Sequence, residues 1–204
     1  MRYVVGVAGP AGGGKTSLVE GLVRELVDAA SIHMDDYERM TLQPAPWIAE
    51  WAARGADLDE YPVPLLGEHL ERLKRGLPVE RPASQATITP RKYLLFETQL
   101  GRAHRATGAL IDMLVWIDTP LEIALARVLK DVTGGALRNT GKVGRSDALA
   151  WLDTYLESYL ALVRHLMILQ RERVRPQADV IVDGCAERAA VVREVRDRIL
   201  RALP

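Results

Sequence analysis

Near the amino end the chain reads Gly9-Pro10-Ala11-Gly12-Gly13-Gly14-Lys15-Thr16-Ser17. The spacing satisfies G-x-x-x-x-G-K-[ST], the pattern of a loop that cradles phosphates. Glycines let successive backbone N–H groups crowd around phosphate oxygens without side-chain clashes. A helix starting near Lys15 would add its positive end to the same site. Lys15 should reach the β- and γ-phosphates, and the Thr16 hydroxyl should ligate Mg2+. Gly12, Gly13 and Gly14 would supply amides, and Ser17 would cap or touch the α-phosphate. The pattern implies a nucleoside triphosphate, ATP or GTP, but does not separate motor, switch and kinase. A second candidate is Met34-Asp35-Asp36-Tyr37, after a short apolar run. A carboxylate at a strand end could take a proton from an acceptor hydroxyl and bind the water shell of a metal. The same pair could equally make a turn or cap a helix.

The elements that position these residues alternate. Tyr3–Ala8 is a β-branched apolar run that ends at a glycine, as a buried parallel strand does. Leu18, Leu22, Val23 and Leu26 then recur at helical spacing. Residues 29–34, 93–96, 112–118 and 180–182 read as further strands. Helices are expected from Leu65 to Leu73, over roughly 98–107 and about 120–132, from Leu149 to Leu166, and from Val192 to Leu203. Strands alternating with helices predict an α/β fold, a doubly wound, mainly parallel sheet of about five strands in a single domain over 1–204. Residues 36–63 are the least regular and are expected to form a cap over the acceptor. The glycine-rich, basic stretch 133–145 reads as a mobile segment.

Composition excludes several classes. Lys plus Arg (27) balances Asp plus Glu (27), so no basic field argues for nucleic acid or an anionic membrane. No run approaches the length of a membrane span. Cys185 is the single cysteine, so no intrachain disulfide forms, and it is expected to be buried or inert. These features suggest a cytoplasmic protein. A switch GTPase would need N-K-x-D after a strand, which is missing, and Asp131-Val132-Thr133-Gly134 follows a helix.

The order of the phosphate loop, Asp35-Asp36-Tyr37, Leu94-Leu95-Phe96-Glu97, Ala126–Asp131 and Ala178–Val182 resembles the uridine kinase and phosphoribulokinase-like group of P-loop kinases. Val79–Arg91 resembles the stretch before that family's third strand. The resemblance covers nearly the whole chain. It implies an ATP- and Mg2+-dependent kinase acting on a hydroxyl of a nucleoside-like or sugar-like molecule. Asp35 would be the catalytic base and a metal-sphere ligand, and Glu97 would complete the magnesium site. Arg91 would touch the substrate. Arg127, Lys130, Arg138, Lys142 and Arg145 would belong to a lid over about 127–146, with Arg127 and Arg145 acting on the transferred phosphoryl group. Asp36 would join the substrate site, and Asp59 would take the place of a ribose-gripping aspartate. The family's Phe-Asp-His-Pro segment is otherwise absent, and its glycine after the strand-end glutamate is Thr98.

Tyr37, Tyr61, Trp47 and Trp51 could stack on a ring or sugar face, or simply pack the cap. The four histidines show no metal-ligand spacing and read as structural. Two other readings stay open: an already phosphorylated acceptor, bound by Arg39, Arg54 or Arg91, and a non-catalytic nucleotide-binding partner protein. The stripe from Leu149 to Leu166 would pack inside the domain or against a second copy.

Overall fold

Five parallel strands form one sheet, in the order β2-β5-β1-β6-β7, within a computed structural model that describes residues 2–82, 84–138 and 147–202. The strands are β1 (Tyr3–Ala8), β2 (Ala29–His33), β5 (Tyr93–Glu97), β6 (Met113–Asp118) and β7 (Val180–Asp183). A separate antiparallel pair joins β3 (Val79–Glu80) to β4 (Thr87–Ile88).

The central strands are apolar on both faces because helices cover both. Side chains along a strand alternate between faces, and β1 divides its residues accordingly. Val4 and Ala8 join Leu94, Phe96, Leu114 and Trp116 in one cluster. Val5 and Val7 join Leu95, Val115 and Ile117 in the other. The first cluster is covered by α3 (Leu66–Arg75) through Leu66, Leu70 and Leu73. The second is covered by α1 (Lys15–Glu25) and α8 (Arg188–Ala202), whose Leu18 and Leu22 pack with Val192, Val195 and Ile199.

The segment 36–63 is more ordered than its composition suggests. It contains α2 (Ala45–Ala53), whose Trp51 is 0% exposed and anchors a third cluster with Met40 and Ala56. The indole N–H of Trp51 donates to the Asp57 carbonyl at 2.9 Å, which satisfies its one polar atom. The helix expected near 98–107 is instead a 3-10 turn at Gly101–Ala103 followed by the short α4 (Arg105–Gly108). The Thr98 hydroxyl accepts the amides of Leu100 and Gly101, and Gly101 takes a φ of 51°, so the chain turns before it can wind.

Helix α5 (Leu121–Arg138) runs beyond its expected end and carries Gly134 and Gly135 inside it, Gly135 buried. These glycines are helical rather than the hinges that their composition suggests. The last long helical stretch is α6 (Ala148–Ser158), a π turn at Tyr159–Val163, and α7 (Arg164–Arg173). The leucine stripe expected there is only partly covered by described residues. Tyr159 is buried, whereas Leu149 is 80% and Leu156 36% exposed.

Helix α7 is tied at two places. Arg173 donates to the carbonyls of Ala56 at 2.9 Å and Gly55 at 2.8 Å. Arg171 and, just past the helix, Arg175 pair with Asp118 at the end of β6, at 3.4 and 3.1 Å.

Candidate active site

All five strands run the same way, so their carboxyl ends share one edge, where open α/β sheets place their ligands. A cavity of about 620 Å³ lies along that edge, lined by the glycine loop, Asp35, Glu97 and residues of α5 and the β7–α8 loop.

The loop between β1 and α1 is held open from below. Gly12 (φ 74°) and Gly14 (φ 101°) adopt the left-handed region, where side chains are disfavoured. A Cβ on Gly12 would stand 2.2 Å from the Ala124 carbonyl oxygen, so the loop sits against α5. The Gly13 amide donates to the Pro10 carbonyl at 2.9 Å, and the Thr119 hydroxyl donates to the Gly13 carbonyl at 3.0 Å. Lys15 is 7% exposed, and its ammonium donates to the Pro10 carbonyl at 3.1 Å. Burial pulls its pKa below the ordinary lysine value, only partly offset by Glu97 and Asp35.

Two acids face this loop. Asp35 sits in the 3-10 turn at Met34–Asp36, immediately after β2, and lines the cavity beside Lys15. Glu97 ends β5, is 7% exposed, and accepts the Thr16 hydroxyl at 2.9 Å on one oxygen. Its other oxygen lies 2.6 Å from Nδ1 of His33. Burial alone would raise the Glu97 carboxyl. The His33 hydrogen bond, the Lys15 charge and the Thr16 hydroxyl outweigh it and hold Glu97 below the usual carboxylate range.

No cluster of three or more His, Cys, Asp or Glu able to cage a metal exists among the described residues. A hydroxyl and carboxylates beside a phosphate cradle suit Mg2+ instead. That ion prefers oxygen, keeps several waters, and takes one or two carboxylates with substrate phosphates completing its shell. Thr16, Glu97 and Asp35 form such a donor set.

The other residues singled out from the sequence fall into different places. Ser17 and Arg127 line the cavity. The Ser17 hydroxyl accepts from Arg188 on α8. The Arg127 guanidinium donates to the Gly184 carbonyl at 2.9 Å, which holds it toward β7. Four inter-strand gaps of about 4.8 Å, roughly 19 Å in all, separate β7 from the β2 side where Asp35 lies. Arg127 lines the same cavity as Asp35, with its guanidinium bonded on the β7 side. Arg138 closes α5 and does not line the cavity, while Lys130 does. Lys142 and Arg145 lie outside the described residues.

Arg91 is a correction. It pairs with Asp28 at 3.4 Å in a separate depression with Arg2 and Lys92, at the amino ends of the strands. It precedes β5 as Glu97 ends it, so the two occupy opposite edges. Asp59 also has another task. Its carboxylate accepts the backbone amide of Arg105 at 2.7 Å and the Arg105 Nε at 2.5 Å, capping α4. Asp36 pairs with Arg81 at 3.2 Å. Tyr37 is buried with its hydroxyl 2.9 Å from Nδ1 of His69, and burial pushes its pKa up to about 12. Tyr61 packs edge-on against Trp51 and lies near enough to Asp35 and Glu38 that burial and both charges raise its pKa strongly. Trp47 stacks on Trp51, with ring centroids 6.0 Å apart, so the aromatic residues pack the segment as much as they face any ligand.

Two residues at the site carry no local signal in the sequence. His33, read from the sequence as structural, bonds Glu97, and Arg188 reaches Ser17 across 171 positions. Cys185 is exposed rather than buried, between cavity-lining Gly184 and Ala186. No described helix is long and apolar enough to cross a membrane.

No family model matches the chain. Curated relatives do. A uridine kinase of Borrelia garinii subsp. bavariensis is 24% identical over 193 residues, covering 89% of this chain and 86% of that protein. A uridine kinase of Brevibacillus brevis is 26% identical over 202 residues, covering 92% and 88%. Among solved structures, shikimate kinase from Acinetobacter baumannii in complex with shikimate superposes with a TM-score of 0.53 at 16% identity, covering 99% of this chain and 95% of that one. A protein from Bacillus stearothermophilus described as a possible uridine kinase gives 0.51 at 16% identity, with 89% of each chain covered. The structures share the fold, and the curated relatives share sequence along most of the length. The chain is thus similar in sequence to uridine kinases along most of its length and similar in fold to P-loop kinases, which supports a phosphotransferase acting on a hydroxyl acceptor.

Proposed function

We propose that this protein transfers the γ-phosphoryl group of ATP to a hydroxyl of a neutral nucleoside-like or sugar-like molecule, with Asp35 as the base. The observation that carries the reading is the shared cavity of Asp35, Lys15 and the glycine loop. In this reading the loop amides and Lys15 grip the triphosphate, and the nucleoside lies toward β7. The γ-phosphoryl then points toward β2. The acceptor oxygen attacks in line while Asp35 takes its proton, and the β–γ bridging oxygen leaves with ADP. Thr16, with Glu97 and Asp35 directly or through water, would hold Mg2+, which when bound would neutralise phosphate charge.

The charges around the acceptor side favour a neutral acceptor over a phosphorylated one. Arg54 is paired with Glu60 and Glu50, and Arg81 with Asp36. Arg39 donates to the neighbouring Glu38 carbonyl, and Arg91 sits at the far edge. An anionic acceptor would have to compete with the carboxylates already paired to Arg54 and Arg81.

The test is ADP release with Mg-ATP and a panel of nucleosides, sugars, pantothenate-like alcohols and nucleoside monophosphates. Asp35→Asn should cut kcat with the best acceptor by about 100-fold or more, the usual effect of removing a general base. Its metal-free ADP affinity should be retained. Turnover within about tenfold of wild type would remove Asp35 from the base role, and a monophosphate as best acceptor would overturn the neutral-acceptor assignment.

A further inference from the structure

We propose that His33 is a positioning residue for the metal-side acid, holding the Glu97 carboxylate so that its other oxygen stays on Thr16. The inference rests on the kinase reading above and extends it to a residue that does not itself line the cavity.

Glu97 is nearly closed off from solvent and has a partner on each oxygen: the Thr16 hydroxyl at 2.9 Å and His33 Nδ1 at 2.6 Å. An ionised carboxylate only accepts hydrogen bonds, so Nδ1 carries the proton that joins them. The other ring nitrogen, Nε2, lies 3.1 Å from the Ser31 hydroxyl, which can donate to it. The imidazole is thus held at both nitrogens, in one ring orientation. The backbone makes this arrangement available. His33 and Glu97 are register partners at the last rung between β2 and β5, so their side chains leave the sheet at the same level.

Two of the other histidines bond away from the cavity: His104 to Thr107 and His69 to Tyr37. His33 alone among these three touches a cavity-lining acid. Without its N–H, one Glu97 oxygen would lose its donor in a nearly closed site, and the carboxylate would be free to turn from Thr16 toward Lys15. Groups that orient metal ligands from behind typically contribute about 10- to 100-fold in metal affinity or activity.

Calorimetric titration reads this directly, without turnover. Each protein is titrated with ADP in Mg2+ and with ADP in EDTA, and the ratio of the two dissociation constants measures the metal's share of binding. His33→Phe keeps a ring and removes the donor. His33→Asn offers an amide N–H near the position of Nδ1. The expected result is a ratio about tenfold smaller in His33→Phe, metal-free ADP binding unchanged, and most of the ratio restored in His33→Asn. An unchanged ratio in His33→Phe would overturn the proposal. So would an Asn variant as impaired as the Phe variant, or a loss of metal-free ADP affinity in step with the metal-bound form. A wild-type protein that binds ADP with neither treatment would instead overturn the kinase reading itself.

Discussion

Replacing Gly12 by alanine tests how the phosphate cradle is supported. The φ of 74° places a side chain in the left-handed region, worth about 1–2 kcal/mol of strain. The added Cβ would also stand 2.2 Å from the Ala124 carbonyl oxygen and 2.9 Å from a Val128 methyl. The carbonyl belongs to the α5 backbone and cannot rotate away. An ordinary carbon–oxygen approach is about 3.3 Å or more, so loop and helix must separate by roughly 1 Å. Overpacking of that kind costs about 1–3 kcal/mol. With the strain this makes about 2–5 kcal/mol, or a fall in melting temperature of roughly 5–15 °C for a chain of this size. Gly14→Ala is the control. Its φ is 101°, but nothing lies within 4 Å of the new Cβ, so it carries the strain without the collision. Scanning calorimetry of the nucleotide-free proteins should show Gly12→Ala melting several degrees below Gly14→Ala. The displaced loop should also lower kcat/KM for ATP in Gly12→Ala by about 100-fold, the order expected for a 1 Å misplacement of a positioning group. A Gly12→Ala protein that melts no lower than Gly14→Ala would refute the argument that α5 buttresses the loop.

Two further outcomes follow from burial. Lys15 is desolvated in the fold and its pKa is lowered, so its charge is less favourable there than in the unfolded chain. Lys15→Met keeps the stem and removes the charge, so it should raise the melting temperature of the nucleotide-free protein while abolishing turnover. A melting temperature below wild type would contradict this. Burial likewise lowers the pKa of His104, against the opposing charge of Asp59, and of His69, where Arg72 adds to burial and Glu68 opposes it. Below the ordinary imidazole value of about 6.5 the unfolded chain therefore binds more protons than the fold. Stability contributed by these neutral rings is complete above that pH and is lost as pH falls toward the folded values. The melting temperature should drop between pH 7.5 and 5.5, and His104→Asn, which keeps a partner for Thr107, should flatten part of that drop. An identical drop in the variant would exclude His104 as a source.

What could be read from the sequence is what consecutive residues determine. The phosphate cradle needs a strand, a glycine loop and a helix in immediate succession, and these are contiguous. Asp35 and Glu97 were legible because each follows or ends an apolar run, and the carboxyl end of a parallel strand decides which edge a side chain serves. Arg91 fails by the same rule. It stands before β5, about 20 Å of extended chain from Glu97. The partners of Asp59, Asp36 and Tyr37 could not be read locally, because Arg105, Arg81 and His69 are 46, 45 and 32 residues away. His33 and Arg188 went unnoticed for the complementary reason: nothing local marks a residue whose partner arrives by sheet register or by the packing of α8. The glycines at 134 and 135 suggested a break, yet tertiary packing keeps α5 winding through them. Glycine in a helix interior costs only about 1 kcal/mol relative to alanine, and Gly135 is buried there.

Helix α7 has guanidinium groups fastened in two directions, to the carbonyls of Gly55 and Ala56 and to the carboxylate of Asp118. One residue before Asp118, the Ile117 carbonyl lies so close to Gly9 that a methyl there would come within 2.9 Å of it. The aromatic-rich segment around Trp51 and the triphosphate turn are therefore mechanically in series, strut to strand to turn. Any rearrangement at one end that strains those arginine tethers loads the other.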